Sequence, residues 1–552
     1  MQRAFKFEEN KLLDQSYRWV HSEADKGQVY TRPDVVNFML TAIGLKNCKD
    51  LQDVRILEPS CGEGEFVLAV ADHLVNGNKY KPTVNQLLGK LLAVDLVADS
   101  IEIAKSKVRK LLLKADYHPM GIQVILDDWF LTADFLLEDI KPNFTHVIGN
   151  PPYVRVESIP KGLLDEYRRR FKTMTNRADL YVPFFEKSLS LLVDRGRLSF
   201  ICTDRWTKNT YGKSLRQLIS DNYSLELFID LYGVDAFEQD VMTYPAITQI
   251  KKTKGNKTLL MHGASFTLKE ADEIQSAMKG EVSTIQLRKD MVSGCRPWLL
   301  GPSDQITLIR KLESQYPSLE EAGCKVFIGA ATGANKIYIV DVNCIDVEGS
   351  RLIPVITANE LSSGRIQWRG KYILNTYDEN GVVCLDDYPK LAAYLNSHKT
   401  DLCKRHVAKK SPANWFKTID HVYEERSKMK KLLIPDISSA PIVVYDEGVF
   451  HPNNSTYYIC SNNWDLHALR VVLLSNVTKI FMDMYSTKIA NGHLRFQAQH
   501  LRKLRLPAWG SINDGLKVRM IDAGVSNATS IFTDLTCEMY GLNENEKLIV
   551  GK

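Results

Sequence analysis

The stretch ILEPSCGEGEF, residues 56–66, joins a short apolar run to a helix-like pattern and decides how the first half of the chain folds. The apolar residues 54–57 predict a strand, and the apolar residues at 67–70 predict a helix. Gly62 and Gly64 lack a Cβ, so the backbone there can turn sharply and approach a ligand closely. A glycine-rich loop is as common in plain tight turns as in binding sites. The loop alone therefore predicts a strand–loop–helix unit and leaves its function open.

Further apolar runs, separated by helix-like segments, follow this unit. The strands are expected at 91–95, 124–126, 145–148 and 197–201, and the helices at 100–114 and 179–192. Strands that alternate with helices are typical of an α/β fold with a mostly parallel, doubly wound sheet. In such sheets ligands bind at the carboxyl ends of the strands, so the residues that follow each strand are the candidates for a binding site.

Length and composition describe a globular protein of more than one domain. The chain has 552 residues, of which 44% are hydrophobic and 25% are charged, and its net charge is +5. A chain of this length exceeds one hydrophobic core. No apolar run approaches the roughly 20 residues of a membrane span, and the first residues are polar, so we expect a cytoplasmic protein with no membrane partner.

The ten cysteines are scattered singly, with no Cys-x-x-Cys pair. The spacing typical of zinc sites is therefore absent, and a disulfide framework is not expected in a chain of this size. We expect a site without a metal ion.

A change of composition marks the end of the regular alternation. The polar, turn-prone stretch KKTKGNK occupies 251–257, and beyond about residue 288 the pattern changes to short strands with many Gly and Asn residues. We expect an α/β domain at 1–265 and a mixed α+β domain at 266–552. The boundary is expected between 265 and 295.

Acidic residues surround the predicted binding loop. Asp95 ends the second strand, where an acidic residue in nucleotide-binding folds accepts hydrogen bonds from ribose hydroxyls. Asp128 and Trp129 follow the third expected strand and offer a carboxylate beside a large flat ring. The phosphate-binding pattern G-x-x-x-x-G-K-[ST] is absent, and the three glutamates within 58–65 would repel a pyrophosphate. The loop therefore favours a cationic adenosine ligand over an anionic one.

These motifs carry a resemblance to one enzyme family. ILEPSCGEGEF resembles motif I of S-adenosylmethionine-dependent methyltransferases. Together with GNPPYV (149–154), it is similar to the gamma-class adenine-N6 DNA methyltransferases of restriction–modification systems. KGQVYTRPDVVNFML (26–40) resembles the family segment that covers the methionine end of the cofactor, with Arg32 in place of a usual proline. The resemblance is dense over 27–245 and patchy over 325–510, where KVFIGAATGANKIYIV and LIPDISSAPIVVYDEGVFHPNNSTYYI resemble pieces of a C-terminal specificity domain.

The resemblance implies a Rossmann-like methyltransferase domain, a target-recognition domain for double-stranded DNA, and S-adenosylmethionine as the cofactor. A separately encoded restriction endonuclease is a candidate partner. The residues expected to bind the cofactor are Tyr30, Thr31, Glu58, Pro59, Ser60, Gly62, Gly64, Asp95, Asp128, Trp129 and Asn150. The residues expected to hold and activate the target are Asn150, Pro151, Pro152, Tyr153 and Phe237.

Asn150-Pro151-Pro152-Tyr153 contains no nucleophile and no strong base, which suits the methylation of an exocyclic amine. The lone pair of such an amine is delocalised into the ring, and two fixed acceptors for its N–H groups localise that lone pair on the nitrogen. Asn150 offers a side-chain carbonyl, and Pro151 offers a backbone carbonyl held extended by Pro152. Tyr153 offers a face for a base removed from the helix. The resemblance assigns the second stacking face to Phe237.

Other functions share parts of this pattern. As a bare tetrapeptide, Asn-Pro-Pro-Tyr fits an ordinary turn as well as a site, and the EPSCGEG loop before it favours the site. RNA adenine methyltransferases and protein glutamine methyltransferases carry similar motifs, generally without a large C-terminal domain. A non-catalytic DNA-binding protein would not need the cofactor loops, and we expect no fused nuclease domain. We therefore expect a site-specific adenine-N6 DNA methyltransferase.

Three basic runs in the second half are consistent with phosphate contact. They lie at 403–410, 425–431 and 501–507. One such run is more often a solvated surface, but three in a domain expected to read DNA favour contacts with the DNA backbone. Asn335, Arg365 and Arg369 are residue types that read base edges.

Overall fold

The structure, a computed structural model, describes residues 29–45, 53–77, 80–232, 234–238, 245–281, 287–289, 291–341, 345–438, 441–486, 494–495 and 497–551. The segment 26–40, quoted above for its resemblance, and the segment 232–250 around Phe237 therefore lie partly outside the described residues. The chain divides into two compact units. The first ends at Leu300 and the second begins at Gly301.

Nine strands of the first unit form one sheet. In chain order they are β1 (Ile56–Glu58), β2 (Leu91–Asp95), β3 (Phe130–Thr132), β4 (Phe144–Gly149), β5 (Leu192–Thr203), β6 (Ser224–Asp230), β7 (Pro245–Lys251), β8 (Lys257–His262) and β9 (Leu287–Lys289). Their order across the sheet is β3-β2-β1-β4-β5-β7-β6-β8-β9. The first five strands of this order all pair in parallel, with β1 between β2 and β4. This arrangement confirms the expected doubly wound, mostly parallel sheet.

The parallel pairing brings the carboxyl ends of neighbouring strands to one edge. Asp95 at the end of β2 lies opposite Thr132 at the end of β3. Gly149 at the end of β4 lies opposite Phe200 in β5. The loops that follow β1, β2, β3 and β4 therefore converge at this edge, where a ligand site is expected.

The remaining part of the sheet is mixed. β7 pairs antiparallel with both β5 and β6, β8 runs parallel to β6, and β9 runs antiparallel to β8. Because β9 consists of residues 287–289, the chain beyond 265 still contributes to the first sheet. The boundary between the two compact units accordingly falls between residues 300 and 301. The composition places this boundary between 265 and 295.

Helices cover both faces of this sheet. They are α1 (Pro33–Ala42), α2 (Glu65–Asn76), α3 (Val84–Leu87), α4 (Ala98–Lys114), α5 (Pro119–Trp129), α6 (Lys161–Arg170), α7 (Tyr181–Leu191), α8 (Lys213–Asn222) and α9 (Leu268–Lys279). Apolar residues of α1, α2, α4, α5 and α9 form one core, and those of α6, α7 and α8 form another. The neighbours Ile56 and Leu57 of β1 fall in different cores, because successive strand residues point to opposite faces.

The expected strand at 124–126 is wrong, because these residues lie in α5. Ile122, Ile125 and Trp129 are buried and share one face at helical spacing. Pro119 begins this helix, at a position where the missing N–H of proline costs nothing. A run of three apolar residues is compatible with a strand and with the buried face of a helix. The third strand, β3, begins immediately after this helix.

The second unit contains several small sheets. Its strands are β10 (Cys324–Ile328), β11 (Ile339–Asp341), β12 (Leu352–Ile356), β13 (Lys371–Leu374), β14 (Tyr377–Asp378), β15 (Gly381–Val382), β16 (Lys431–Pro435), β17 (Ile437–Ser438), β18 (Val444–Asp446), β19 (His451–Pro452), β20 (Thr456–Ser461) and β21 (Leu494–Arg495). Four-stranded sheets have the orders β10-β20-β16-β18 and β11-β13-β12-β19, and two further pairs are β14-β15 and β17-β21.

Helices flank these sheets, so the second unit is a mixed α+β structure, as expected. They are α10 (Ser303–Gln315), α11 (Asn335–Tyr338), α12 (Pro389–Ser397), α13 (Lys399–Cys403), α14 (His406–Lys410), α15 (Glu424–Ser427), α16 (Leu466–Leu473), α17 (Asn476–Tyr485), α18 (Ala498–Leu501), α19 (Asp514–Ser526), α20 (Phe532–Met539) and α21 (Glu544–Gly551). The contacts of α16 with α19 and α20 join the C-terminal helices into one layer.

No helix in the described ranges is both long and apolar enough to cross a membrane. The same part of the chain holds no group of three or more His, Cys, Asp or Glu side chains that could bind a metal ion.

Candidate active site

The loop after β1 requires glycine at position 64. Gly64 has a φ of +92° and directly precedes α2. A Cβ placed on Gly64 would lie 2.8 Å from the Cβ of Ala104 in α4, which is closer than carbon atoms approach. Gly62 has a φ of +50°, and a Cβ on it would meet no atom within 4 Å. Gly64 thus lets α2 pack directly against α4, while Gly62 turns the backbone at the open side of the loop.

Asp95 connects this loop to the end of β2. Its carboxylate oxygens accept the backbone N–H of Gly62 at 2.8 Å and that of Val97 at 2.9 Å. Burial raises the pKa of Asp95, and these hydrogen bonds oppose the rise. Each carboxylate oxygen has a second lone pair, so Asp95 can accept a ribose hydroxyl while it holds the loop in place.

Glu58 is the last residue of β1 and is 1% exposed. Burial raises the pKa of its carboxyl well above the usual value, and the nearby Glu65 and Asp95 raise it further. The Oε2 atom of Glu58 is buried and has no hydrogen-bond partner among the described residues. Such surroundings favour the neutral, protonated form of a carboxyl over the ionised form.

The segment 29–32, which precedes α1, runs antiparallel to the segment 235–238. Thr31 forms a β-bridge with Phe237, and two further backbone hydrogen bonds, of 3.0 and 3.2 Å, join the segments. Thr31 is 2% exposed. This pairing brings Phe237 next to the residues expected to cover the cofactor.

Tyr30 links the same segment to the loop after β1. Its hydroxyl donates to Oε1 of Glu63 at 2.9 Å. Burial and the neighbouring Glu63 carboxylate raise the pKa of Tyr30 to about 12, so the hydroxyl stays protonated and remains a donor. Tyr30 and Glu63 therefore hold the two cofactor segments together at one side of the candidate site.

The side chain of Asn150 is oriented by its amide nitrogen. Nδ2 donates to the carbonyl of Val29 at 3.0 Å and lies 3.4 Å from Oγ1 of Thr31. The hydroxyl of Ser60 donates to the backbone carbonyl of Asn150 at 3.1 Å. The Oδ1 atom of Asn150 is buried and has no partner in the part of the chain that the structure describes. Asn150 thus presents a fixed, unused hydrogen-bond acceptor.

The rest of the Asn-Pro-Pro-Tyr motif extends from the carboxyl edge of the sheet. Pro151 is buried, and Pro152 and Tyr153 are half-buried. The hydroxyl of Tyr153 donates to the carbonyl of Ile201 in β5 at 3.2 Å. Burial, with a smaller contribution from Cys202, raises the pKa of Tyr153 well above its usual value. The ring of Tyr153 is therefore anchored at its hydroxyl end.

Phe237 and Tyr153 pack on different faces of the sheet. Phe237 is 9% exposed and belongs to the core that contains Ile148 and Phe38. Tyr153 packs against the other core. Phe237 is linked to Asn150 through Thr31, which pairs with Phe237 and contacts the Asn150 side chain. Tyr153 belongs to the motif and is anchored on β5. The use of Phe237 as a second stacking platform stays a prediction.

The structure does not place Asp128 and Trp129 at the carboxyl edge, because both end α5. Asp128 accepts the backbone N–H of Gly89 at 2.6 Å. Trp129 is fully buried and donates from its indole N–H to the carbonyl of Leu87 at 3.0 Å. These contacts lie in the loop that precedes β2, at the opposite end of the strand from Asp95, and they stabilise the fold. A role of Asp128 and Trp129 in cofactor binding stays a prediction.

Asp134 and Phe135 occupy the position that sequence reasoning assigned to that pair. They follow β3, and the N–H of Ala133 donates to the backbone carbonyl of Asp95 at 2.9 Å. Asp134 accepts the Tyr167 hydroxyl at 2.6 Å and the N–H of Leu136 at 2.9 Å. The sequence signal for this pair is an acidic residue followed by an aromatic one after a short apolar run. Because the third strand was expected at 124–126, this signal was assigned to Asp128 and Trp129 and not to Asp134 and Phe135.

The basic runs of the second unit are only partly available to a polyanion. Arg405 donates to the carbonyls of Thr332 and Trp415 at 3.0 and 2.8 Å. Lys431 is fully buried and pairs with Asp446 at 2.8 Å. The exposed cations of the three runs are Lys404, Lys409, Lys410, Lys428, Lys430 and Arg502. Lys404, Lys428 and Lys430 pair with neighbouring carboxylates. Arg365 and Arg369 are exposed as well.

Two family models match the chain. Residues 88–237 match the Eco57I restriction-modification methylase, and residues 353–506 match the TaqI-like C-terminal specificity domain. The first match spans β2 to β6 with the Asn-Pro-Pro-Tyr motif, and the second lies within the second unit. The fold and the site thus define a DNA-modifying methyltransferase with its own specificity domain.

Curated relatives are similar over nearly the whole chain. Type II methyltransferase M.XhoI of Xanthomonas vasicola is 41% identical over 96% of this chain and 99% of its own length. M.PaeR7I of Pseudomonas aeruginosa is 39% identical over 95% and 93%, and M.BstVI of Geobacillus stearothermophilus is 37% identical over 96% and 98%. The chain belongs to the Type II DNA methyltransferases of restriction–modification systems.

Solved structures share the fold at low sequence identity. The Type IIL restriction-modification enzyme MmeI in complex with DNA has a TM-score of 0.61 at 12% identity, with 100% of this chain and 77% of that chain covered. A nuclease-deletion mutant of the Type ISP enzyme LlaGI has a TM-score of 0.52 at 14% identity, with 92% and 47% covered. These likenesses support the fold described above.

Proposed function

We propose that this methyltransferase transfers a methyl group from S-adenosylmethionine to the N6 amine of an adenine in double-stranded DNA. The observation that carries the proposal is the side chain of Asn150. Its Nδ2 is engaged by Val29, whereas its Oδ1 is buried without a partner in the described residues. An acceptor fixed in this way takes an N–H of an incoming amine without having to reorient.

The other groups of the motif support the same target. The backbone carbonyl of Pro151 is the second acceptor for the amine, because Pro152 restricts its conformation. The half-buried ring of Tyr153 offers a stacking face for a base that has left the helix. The two acceptors, Oδ1 of Asn150 and the carbonyl of Pro151, work without a base, since they act by localising the lone pair of the amine.

The residues at the carboxyl edge fit S-adenosylmethionine, which supplies a methyl group activated for displacement when it is bound. The unpartnered Oε2 of Glu58 lies in a site whose charged groups are mostly acidic, which suits a cationic ligand. We propose that Asp95 accepts the ribose hydroxyls, and that Asp134 and Phe135, which follow the neighbouring strand, contact the adenine ring of the cofactor.

Methylation of a ring carbon through a cysteine adduct is disfavoured by the state of the nearby thiols. Covalent attack on a pyrimidine needs a thiolate. Burial raises the pKa of Cys61, in the loop after β1, well above its usual value. Burial does the same for Cys202, at the end of β5. Both thiols stay protonated, so the site is suited to an amine and not to a carbon.

The second unit is the part of the protein that we assign to recognition of the DNA sequence. It contains the matched specificity domain, and its exposed cations, such as Arg365 and Arg369, are of the types that contact DNA. The separately encoded restriction endonuclease stays a prediction.

The test is a methylation assay on double-stranded DNA with S-adenosylmethionine that carries an isotopically labelled methyl group. The DNA is digested to deoxynucleosides, which are separated by chromatography and identified by mass spectrometry. We expect the label in N6-methyl-2′-deoxyadenosine. Label in N4-methylcytosine would overturn the choice of adenine, and label in 5-methylcytosine would overturn the amine chemistry itself. Sequencing of the modified DNA gives the recognition sequence.

A further inference from the structure

One oxygen of a buried carboxyl in the candidate site is left without a hydrogen-bond partner in the part of the chain that the structure describes. Glu58 is 1% exposed, and its Oε2 has no hydrogen-bond partner among the described residues. A Cβ built on Gly149 would lie 3.4 Å from Cγ of Glu58. Because Gly149 immediately precedes Asn150, Glu58 lies beside the start of the Asn-Pro-Pro-Tyr motif.

The charged side chains that act most strongly on Glu58 are acidic. The groups that face it are Glu65 and the N–H of Val67 on α2, Asp95 at the end of β2, and the Cys61 thiol on the loop after β1. The Lys107 ammonium of α4 pairs with Glu65 at 3.3 Å and lies 3.9 Å from Glu63. Lys107 therefore compensates Glu65, and the Glu58 carboxyl has no cation assigned to it in the described residues.

An ionised carboxylate is strongly disfavoured in these surroundings. Its removal from water is unfavourable unless an opposite charge lies beside it. Neighbouring carboxylates add to that cost. In the absence of a ligand, the pKa of Glu58 is consequently raised well above its usual value, with burial as the largest cause.

We propose that Glu58 releases its proton to solvent when the cofactor binds, and that a positive charge of the cofactor takes the place of that proton beside the carboxylate. The exchange keeps the charge of the buried site constant, because one positive charge leaves as another arrives. This inference rests on the proposed use of S-adenosylmethionine. It makes Glu58 a charge-matching residue that selects a cationic adenosine compound over a neutral one.

The exchange gives cofactor affinity a pH dependence of defined sign. Binding favours the ionised carboxyl, so affinity is low where Glu58 is protonated in the free protein and rises as the pH increases. The rise is at most about tenfold per pH unit, since one proton is exchanged. It ends when the pH exceeds the raised pKa of Glu58 in the free protein.

The exchange is measured by isothermal titration calorimetry on the full-length protein at about pH 6, in two buffers of different ionisation enthalpy. The difference in apparent binding enthalpy gives the number of protons released. For S-adenosylmethionine we expect close to one proton. For 5′-methylthioadenosine, which keeps the adenosine and lacks both cationic groups, we expect none.

Two variants identify the group that loses the proton. Glu58→Gln keeps the size of the side chain and its neutral form, so it should bind S-adenosylmethionine without proton release and with an affinity that no longer rises with pH. The affinity difference from the wild type should grow to about tenfold or more at higher pH. The matched control, Glu65→Gln, removes a neighbouring carboxylate and should keep the release.

The outcomes separate this inference from the proposed function. No binding of S-adenosylmethionine at all would overturn the proposed cofactor. Binding without proton release by the wild-type protein would overturn the inference alone, and this result does not depend on any variant being folded. Release that persists in Glu58→Gln would assign the proton to another group and would equally overturn the inference.

Discussion

The amide nitrogen of Asn150 donates to the carbonyl oxygen of Val29 at 3.0 Å, although the two residues are 121 positions apart in the chain. Because an amide has one donor group and one acceptor atom, this bond determines which end of Asn150 stays free. A second contact of Nδ2, with Oγ1 of Thr31 at 3.4 Å, has the same effect. The segment 29–32 before α1 therefore orients Oδ1 of Asn150, the residue that directly follows β4.

The first prediction tests this acceptor. Asn150→Ala removes Oδ1 and leaves the backbone, the ring of Tyr153 and the second unit in place. We expect single-turnover methyl transfer to fall by about 100-fold or more, as with the loss of one positioned polar group in other active sites. DNA affinity should change little, because most of it comes from phosphate contacts elsewhere.

The control for Asn150→Ala is Ser60→Ala, which removes the 3.1 Å hydrogen bond to the backbone carbonyl of Asn150 but keeps Oδ1. It should reduce methyl transfer by a few-fold at most, about the value of one neutral hydrogen bond. If both variants lose activity equally, positioning of the backbone and not the side-chain acceptor carries the effect.

The second prediction concerns the methyl donor. Asp95→Ala removes the carboxylate that holds Gly62 and is placed for the ribose, so binding of S-adenosylmethionine should weaken by about 1.5–3 kcal/mol, the range for hydrogen bonds to a charged group. Asp128→Ala removes a carboxylate of the same type that lies in α5, away from the carboxyl edge, and it should leave cofactor affinity unchanged. Calorimetric titration of both variants decides between the two positions.

Local motifs carried most of what could be predicted from the sequence. The loop at 56–66 and the motif at 150–153 encode their own turns, so their places at the ends of β1 and β4 followed directly. The pairing of 29–32 with 235–238 joins residues about 200 positions apart, and no local pattern specifies such a contact. The burial of Lys431 also depends on a contact that local sequence does not specify. Its place in a basic run predicts a surface residue, yet Lys431 is fully buried against Asp446.

The third prediction tests the packing of α2 on α4. Gly64→Ala introduces a Cβ 2.8 Å from that of Ala104 at a φ of +92°, and it should destabilise the protein by about 2–5 kcal/mol, from backbone strain and overpacking together. Gly62→Ala at a φ of +50° meets no atom and should cost only the strain, about 1–2 kcal/mol. Denaturant unfolding monitored on each variant measures both values.

A double variant separates the two contributions at position 64. Ala104→Gly removes the obstructing Cβ, so in combination with Gly64→Ala it should restore the part of the stability lost to overpacking and none of the part lost to strain. The destabilisation of the double variant should therefore be smaller than the sum for the two single variants. An additive result would show that the Cβ atoms do not meet.

The fourth prediction is a pH dependence of stability that comes from His146 in β4. Burial, with the charge of Arg197, lowers the pKa of His146 to about 4 in the folded protein. Between about pH 6.5 and pH 4 the unfolded chain binds a proton at this histidine and the folded protein does not. The free energy of unfolding should therefore fall by up to about 1.4 kcal/mol per pH unit as the pH drops through this range, with no contribution above it.

His146→Gln removes this titration and should flatten the stability curve between about pH 6.5 and pH 4. Its stability relative to the wild type is measured by urea unfolding at several pH values. The difference between the two proteins should become more favourable to the variant as the pH falls. Parallel curves over the whole range would contradict the burial of an uncharged His146.

The fifth prediction separates the group that holds the target base from the group that activates it. Tyr153→Ala removes a stacking platform worth about 1–3 kcal/mol, so the extruded adenine should be less populated and methylation slower. Tyr153→Phe is the matched control, since it keeps the ring and loses only the 3.2 Å hydrogen bond to Ile201.

A mismatch opposite the target adenine lowers the cost of extrusion. The mismatch should therefore rescue methylation by Tyr153→Ala, and by Phe237→Ala if that ring is the second platform. It should not rescue Asn150→Ala, because easier extrusion does not replace a missing acceptor. Single-turnover methylation of paired and mismatched duplexes measures the rescue, and equal rescue of all three variants would show that the roles are wrongly assigned.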